Sequence, residues 1–478
     1  MVDSLKIKPL SSQEVTTIYE RCLEFLSSKG VKVFHTEILK TLEKEGAWVD
    51  IKKQQLRLPR DIIEEALRTV PRSFKMAGKE SEIILPHPEG ASYARNGTGA
   101  QNFLDPETNA FHDMTRSNVQ EAAQLLELMD GIQFTCFPFI RDVPGETADI
   151  YGLKTLFENT TKPVMIQPYS YGSPEYLFEL AIAKAGSAEA LKKKPVITII
   201  PCPVTPFEIK DMDAKIIQLA ARYGVPIQAN PLPSAGGTSP VTIAGTVLMN
   251  GIEVLAMLVM SQMFQPGTPV IGSPLFFTLD MINGRALGSS IESILGAAAS
   301  VQFLKEAFHV PTYTWGFGSE SHFPDGQAMI ETTLRGLLIS MVGVDILGGA
   351  GQLSTALVFS PVQLIIDNAL VQILNRVNCG VKVDDDTLAW EDILDTEPGS
   401  HFLRRRHTLK HCRESIRTKL FAGESLEAWR LKKGGDLYDR ALQRYKEIKK
   451  VLKPVPLPAD VKKEIDNIVK KADEYLVH

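Results

Sequence analysis

Aromatic and amide side chains gather at one recurring place in this chain, just after short apolar runs. Asn96 follows one run, and Phe137, Phe139 and Arg141 follow the next; Gln167, Tyr169 and Tyr171 come after a third and Asn230 after a fifth. Phe276 and Phe277 close the sixth run, Tyr313, Trp315 and Phe317 the seventh with Glu320 and His322 beyond them, and Gln352 follows the eighth. The face of an aromatic ring attracts a cation, by about 0.5–2 kcal/mol once water is excluded, and a quaternary ammonium has no N–H with which to do better elsewhere. Arg141 and the amides Asn96, Gln167, Asn230 and Gln352 offer donors for a carboxylate. Arg141 fits an ion pair with Asp142 equally well, and any single ring fits a core position. The clustering, not any one residue, points to a small methylated ammonium ligand.

Other chemistries lack their residues. A Schiff-base lysine belongs at the end of a strand, whereas Lys162 and Lys194 precede theirs. Of nine histidines only His322 falls in a candidate strand-end loop, too few for a converging His/Asp metal set, and in SHFPDGQAM it also reads as a helix-entry residue. His322 is retained as the one candidate catalytic side chain. Asp142, Asp280, Glu320 and Asp325 show no pairing of the kind glycoside hydrolysis needs, and Asp325 and Glu331 read as capping and scaffold groups. The glycine-rich 348–351 lacks a basic neighbour for a phosphate.

The five cysteines, Cys22, Cys136, Cys202, Cys379 and Cys412, show no CxxC spacing, which fits a reducing compartment and no thiolate metal site. Acidic residues outnumber basic ones by 57 to 52, so the broad positive field of a nucleic-acid binder is missing. The first residues carry no apolar leader segment, and the expected location is the cytoplasm.

The elements that would position these residues follow from periodicity. Eight apolar runs, 91–96, 132–140, 163–169, 195–203, 226–233, 269–277, 311–318 and 344–351, alternate with helical stretches such as KDMDAKIIQLAARYG and SSIESILGAAASVQFLKEAF. Eight strand-then-helix repeats predict a (β/α)8 TIM barrel over 81–378, with a doubly wound sheet as the alternative. Amphipathic helices before it predict a helical N-terminal cap over 1–80. Residues 379–478 read as a C-terminal helical extension whose Lys-rich face is a solvated surface.

Several spaced stretches resemble the trimethylamine methyltransferase (MttB) superfamily over nearly the whole chain. They are Arg95-Asn96-Gly97, Ser321-His322-Phe323-Pro324-Asp325-Gly326-Gln327-Ala328 with Glu331, and Ser360-Pro361-Val362-Gln363-Leu364-Ile365-Ile366-Asp367-Asn368. His401-Phe402-Leu403, His407-Thr408-Leu409, Trp429 and Gly435-Asp436 continue the pattern. The resemblance implies a TIM barrel that moves a methyl group from a methylated amine to Co(I) of a cobalamin-type corrinoid carried by a separate protein. Trimethylamine enzymes of that family carry pyrrolysine near the seventh strand. Standard residues stand at 315–320 here, which resembles the branch acting on quaternary amines, glycine betaine first, with proline betaine and carnitine as others. It also implies a corrinoid protein docked at the barrel mouth, through loops such as 234–240 and 278–285, and no bound metal or flavin. On this reading Trp315, Phe317, Phe276 and Tyr169 face the ammonium, with Phe137 beside them, while Arg141, Asn96 and Gln167 hold the carboxylate. A non-catalytic betaine-binding protein is the rival of a different class, and a homo-oligomer is expected.

Overall fold

The apolar runs become short parallel strands in the computed structural model, which describes residues 6–432 and 434–477. Tyr93–Asn96, Val164–Ile166, Ile197–Ile199, Ile227–Ala229, Val270–Gly272, Tyr313–Trp315 and Ile346–Ala350 are strands, while the second run contributes only the bridging residues Phe134 and Thr135. Pairing follows chain order. Arg95 bridges Phe134, Thr135 bridges Val164, and strands then pair successively to Val270–Gly272, whose Gly272 bridges Thr312. Tyr313–Trp315 pairs with Ile346–Ala350, which pairs with Tyr93–Asn96. Every one of these pairings is parallel and the helices lie between them in sequence, so the fold is TIM-barrel-like α/β.

Alternation along the strands sorts the side chains into two populations. Val164, Ile166, Ile197, Ile199, Ile227 and Ala229 join the main core with the surrounding helices. Phe134, Cys136, Met165, Ile271, Tyr313 and Ile346 form a separate inner cluster. The hairpin Phe74–Met76/Ile83–Leu85 closes one end of that cluster with Met76, Ile83 and Leu85, and the Ala77 N–H bonds the carbonyl of Pro195, at the entry of the fourth strand. The open end is therefore the one where strands finish. One helix, Ile243–Phe264, is long and apolar enough to cross a membrane, but it is largely buried and packs on Ser12–Ser28 and Ile291–Ala307.

The N-terminal segment is not purely helical. Its helices Ser12–Ser28, Thr36–Lys44 and Arg60–Thr69 alternate with strands Val31–Val33, Trp48–Asp50 and Gln55–Arg57. Glu208–Ile209, from the loop after the fourth barrel strand, adds to this sheet in parallel and stitches the segment to the barrel. Three-residue strands are too short for alternation to stand out against their helical neighbours. In the C-terminal extension, Leu437–Lys449 packs on Pro361–Asn378. Ala459–Leu476 packs on Pro174–Ala185, held also by Asp473, which accepts from the Tyr151 hydroxyl at 2.7 Å and the Thr147 hydroxyl at 2.9 Å.

Two side chains take over where backbone pairing fails. Beyond Thr135 the second run is irregular, and the Asn96 amide stands in for a peptide group: its Oδ1 accepts the Cys136 N–H at 2.8 Å and its Nδ2 donates to the Cys136 carbonyl at 2.9 Å. At the eighth strand, fully buried Asp367 accepts the Gly351 N–H at 2.8 Å and the Gln363 side-chain N–H at 2.8 Å, and burial pushes its carboxyl up to about 7.

Asn96→Ala leaves the buried N–H and C=O of Cys136 unpaired, and urea denaturation should show a loss of about 2–4 kcal/mol; a loss below about 0.5 kcal/mol removes the clamp role. Asp367 has a folded pKa above its unfolded value, so its contribution to stability is full below about pH 4 and falls away as the pH rises towards 7. Melting curves at pH 5 and pH 8 should therefore show Asp367→Asn losing less stability over that interval than the native chain. Parallel pH profiles for the two would contradict the assignment.

Candidate functional site

Carried along each strand, the alternation that sets Phe134, Met165, Ile271, Tyr313 and Ile346 inside also turns Arg95, Cys136, Gln167, Thr198, Gln228, Asn230, Trp315 and Gly348 inward. None of these positions carries a carboxylate. Their charge is that of Arg95 alone.

Trp315 ends the seventh strand and lies edge-to-face with Phe277, centroids 5.3 Å apart. Phe277 opens the hairpin Phe277–Asp280/Arg285–Leu287, which rises from the end of the sixth run. Just past that hairpin, the backbone at Gly288 comes close to both rings: a Cβ there would sit 3.0 Å from Trp315 and 3.3 Å from Phe277. The arrangement is locked from behind by Arg335. Its buried guanidinium donates to the carbonyls of Phe317, Gly318 and Gly288 and to the Ser289 hydroxyl, 5.8 Å from the Trp315 ring. Burial draws its pKa down to about 10, which leaves it charged at neutral pH.

The loops after the seventh and eighth strands are tied to each other. Glu320 accepts the backbone N–H groups of Gly288 at 2.7 Å and Ser289 at 3.0 Å and also the Thr355 hydroxyl. Glu331 accepts from the Ser319 hydroxyl at 2.6 Å and the Glu320 N–H at 2.8 Å, and Asp325 caps its helix by accepting the Ala328 N–H. Facing them, Ser354, Thr355 and Ala356 all have positive φ, 53°, 53° and 71°, a left-handed run that non-glycine residues hold only under constraint from neighbours. Here the constraints are bonds from the Ser354 and Thr355 N–H groups to the carbonyls of Ser321 and Ser319.

Also inside the strands, Arg95 is 2% exposed and its guanidinium stacks on the Tyr313 ring, 4.2 Å from its centroid, with Nη2 bonded to the Tyr313 hydroxyl. Gly348 makes room for this, since a Cβ there would overlap the Tyr313 hydroxyl. Nε and Nη1 of Arg95 have no hydrogen-bond partner. Gln228 donates to the Thr198 hydroxyl while its Oε1 is likewise buried without a partner.

The residues singled out in the sequence divide accordingly. Trp315, Gln167 and Asn230 are inward-facing, with Asn230 beside the Cys202 sulfur at 3.9 Å. Phe276, Phe317 and Phe137 belong to the core between barrel and helices: the Phe276 ring fills the space at Gly296 and the Phe137 ring lies over Gly152. Tyr169 packs on Phe139 and Phe137, centroids 4.4 and 6.2 Å away, and its backbone N–H bonds Asp149. Asn96 spends its amide on Cys136, as described. Gln352 donates to the Thr98 carbonyl, with its Oε1 buried and unpartnered. Arg141 is on the surface, bonded to Gln101 and 3.7 Å from Asp113, while Asp142 accepts the Arg116 N–H instead. His322 is exposed, its Nδ1 2.6 Å from the Ser354 hydroxyl.

Arg95, Gln228 and Arg335 belong with the site and were not assigned to it from the sequence, and Phe277, gathered there with the other strand-end rings, was not among those set against the ammonium. For Phe277 the signal was one residue away from Phe276, and a shift of one turns the other face of a strand inward. For Arg95 the signal was an arginine in the middle of a strand. A cleft of about 1070 Å³ lies between Pro361–Asn378 and the C-terminal extension, far from the strand ends and lined by Asn368, Arg440 and Arg444 among others. Among the described residues, no group of three or more His, Cys, Asp or Glu side chains is arranged to hold a metal ion.

Comparison with known proteins places this architecture. A trimethylamine methyltransferase MttB from Desulfitobacterium hafniense is 28% identical over 479 residues, covering 99% of this chain and 96% of its own. A glycine betaine methyltransferase from the same species is 26% identical over 456 residues, 93% of this chain and 92% of that one. Among solved structures, the monomethylamine methyltransferase MtmB of Methanosarcina barkeri superposes with a TM-score of 0.56 at 11% identity, over 94% of this chain and 90% of that one, which is a likeness of fold. Residues 3–476 match the family described as trimethylamine methyltransferase (MTTB). The chain belongs to that family and is a corrinoid-dependent methyltransferase.

Proposed function

We propose that this enzyme takes a methyl group from a small quaternary amine, glycine betaine before proline betaine or carnitine, and delivers it to Co(I) of a corrinoid protein docked over the open end of a closed (β/α)8 barrel. Glycine betaine would leave as dimethylglycine. The observation that carries this reading is the lumen itself: rings of Trp315 and Phe277 at the open end, amides of Gln167, Gln228 and Asn230 along the wall, and no carboxylate among the inward positions.

A tertiary amine must be made cationic before its N–C bond can break, which calls for a proton donor or an equivalent group. A quaternary ammonium already carries its charge and departs as a neutral amine, so a wall of rings and amides suffices. The standard residues at 315–320 agree with a branch that works without pyrrolysine. The corrinoid supplies the nucleophile. This chain's share is to hold the ammonium against Trp315 and Phe277, point one N–CH3 bond out of the barrel and keep water away, which is catalysis by orientation and desolvation. The electron pair of the breaking N–C bond stays on nitrogen. Met281 and Ile282, 64% and 92% exposed at the tip of the hairpin beside Trp315, offer the partner an apolar rim.

Purified enzyme mixed with cob(I)alamin or its corrinoid protein should methylate cobalt, followed by its absorption spectrum, with a quaternary amine and not with trimethylamine. Methylation by trimethylamine alone would overturn the choice of donor, and betaine binding without methylation by any amine would leave a binding protein. Trp315→Ala removes one ring face and should raise KM for the donor about 3- to 30-fold with kcat little changed. An unaltered KM takes Trp315 out of the site.

A further inference from the structure

We infer that Arg95 is the receptor for a carboxylate on the methyl donor, so that the enzyme selects zwitterionic quaternary amines over simple quaternary cations. The inference deepens the proposed function and rests on it for the identity of the reacting end. It does not depend on Arg141, the surface residue to which sequence reasoning gave this task.

A guanidinium 2% exposed normally has an acid or several carbonyls around it, because removing an ion from water costs several kcal/mol even after the protein relaxes. Arg335, the fully buried arginine behind the site, meets that rule with three carbonyls and a hydroxyl, and has Glu320 and Glu331 nearby. Arg95 does not. Its single hydrogen bond goes to Tyr313, one face is covered by the Tyr313 ring, and Nε and Nη1 are buried with nothing to donate to. The ionisable groups beside it are the Tyr313 phenol and the Cys136 thiol, both pushed up by burial, the thiol to about 11, so neither is negative at neutral pH. An anion accepting from the free edge of the guanidinium would supply both missing partners and missing charge.

Position adds direction. Arg95 meets the ring of Tyr313, which begins the seventh strand, whereas Trp315 ends it and its ring reaches Gly288 beyond the loop hairpin. The Trp315 and Phe277 rings thus extend to the loop hairpin at the open end, next to the Arg95–Tyr313 pair, whose hydroxyl lies at Gly348, the register partner of Trp315. A zwitterion held by its carboxylate at Arg95 presents its ammonium to Trp315 and Phe277 and its methyl groups to the mouth. A bare cation finds no such anchor and meets the uncompensated positive charge of Arg95.

Equilibrium titration with glycine betaine, choline and tetramethylammonium tests this directly, with cobalt methylation measured in parallel. The native enzyme should bind glycine betaine at least about 100-fold more tightly than tetramethylammonium, and Arg95→Met should lose about 100-fold for glycine betaine while leaving tetramethylammonium unchanged or improved. Arg95→Lys, which keeps the charge but not the planar fork, should fall between. Because the native guanidinium is uncompensated, the Met variant should melt no lower than the native chain; if it does not fold, Arg95→Gln is judged on the same two ligands. Glycine betaine affinity within about 3-fold of native in the neutral variant, or native binding of tetramethylammonium as tight as that of glycine betaine, would overturn the assignment. Failure of native enzyme to bind any carboxylated quaternary amine would overturn it too. Carboxylate-dependent binding through Arg95 without cobalt methylation would instead sink the proposed methyl transfer and leave the receptor standing.

Discussion

Carboxylates that have given up water for backbone N–H donors hold the open end of this barrel in shape. Asp149 accepts from the N–H groups of Tyr169 and Ser170 after the third strand, Asp213 from Cys202 and Glu253 from Phe207 after the fourth, and Asp367 from Gly351 at the eighth. Each is buried, and burial raises each carboxyl, Asp213 to about 6 and Glu253 and Asp367 to about 7. The desolvation is tolerated because the alternative, a set of unpaired N–H groups in loops that cannot form strands, costs about 1–3 kcal/mol for each. Long strands would have needed no such props. These strands are mostly three residues long, so the loops beyond them must be positioned by side chains from the helices.

One consequence reaches the chemistry. The acids of the rim are turned to the backbone from the helix side, and the lumen is left with rings, amides and one arginine. The same division of labour separates Arg335 from Arg95. The first ties the loops after the sixth and seventh strands together and has its donors satisfied by them; the second faces inward with donors to spare. A buried polar group without partners is either a cost with no return or half of a binding interaction, and the place of Arg95 inside an aromatic lumen argues for the latter.

How far this was legible in the sequence depended on periodicity. Seven of the eight runs form strands of the barrel-like core and the second contributes two bridging residues, because a buried parallel strand needs a continuous apolar run and its helix an amphipathic one. Which face each run presents was not legible. Phe276 and Phe277 are adjacent, and the irregular exit of the sixth strand decides that Phe277 joins the inner cluster and Phe276 the helix layer. Asn96 was visible as a polar residue at a strand end, but its use as a substitute for backbone pairing depends on the second run losing its regularity after Thr135, which no local pattern announces. Arg95 stands in the Arg95-Asn96-Gly97 motif, and nothing local marks an arginine within a short strand as inward-facing. Its burial comes from packing on Tyr313, far off in the sequence.

The proposed use of separate groups for the two ends of the donor bears on how such a site can be fast. As the methyl group departs, positive charge drains from nitrogen, so the attraction between ammonium and aromatic rings weakens towards the transition state and cannot by itself accelerate transfer. A carboxylate held at the far end keeps its full charge throughout the reaction. Its interaction is equal in ground and transition states, and it can serve to offset the loss of rotational freedom and fix the N–CH3 axis towards the mouth. On the proposed reading, the division would let the rings at Trp315 and Phe277 be few, since they would need to recognise the cation only loosely, and would leave orientation to the anchored end of the donor.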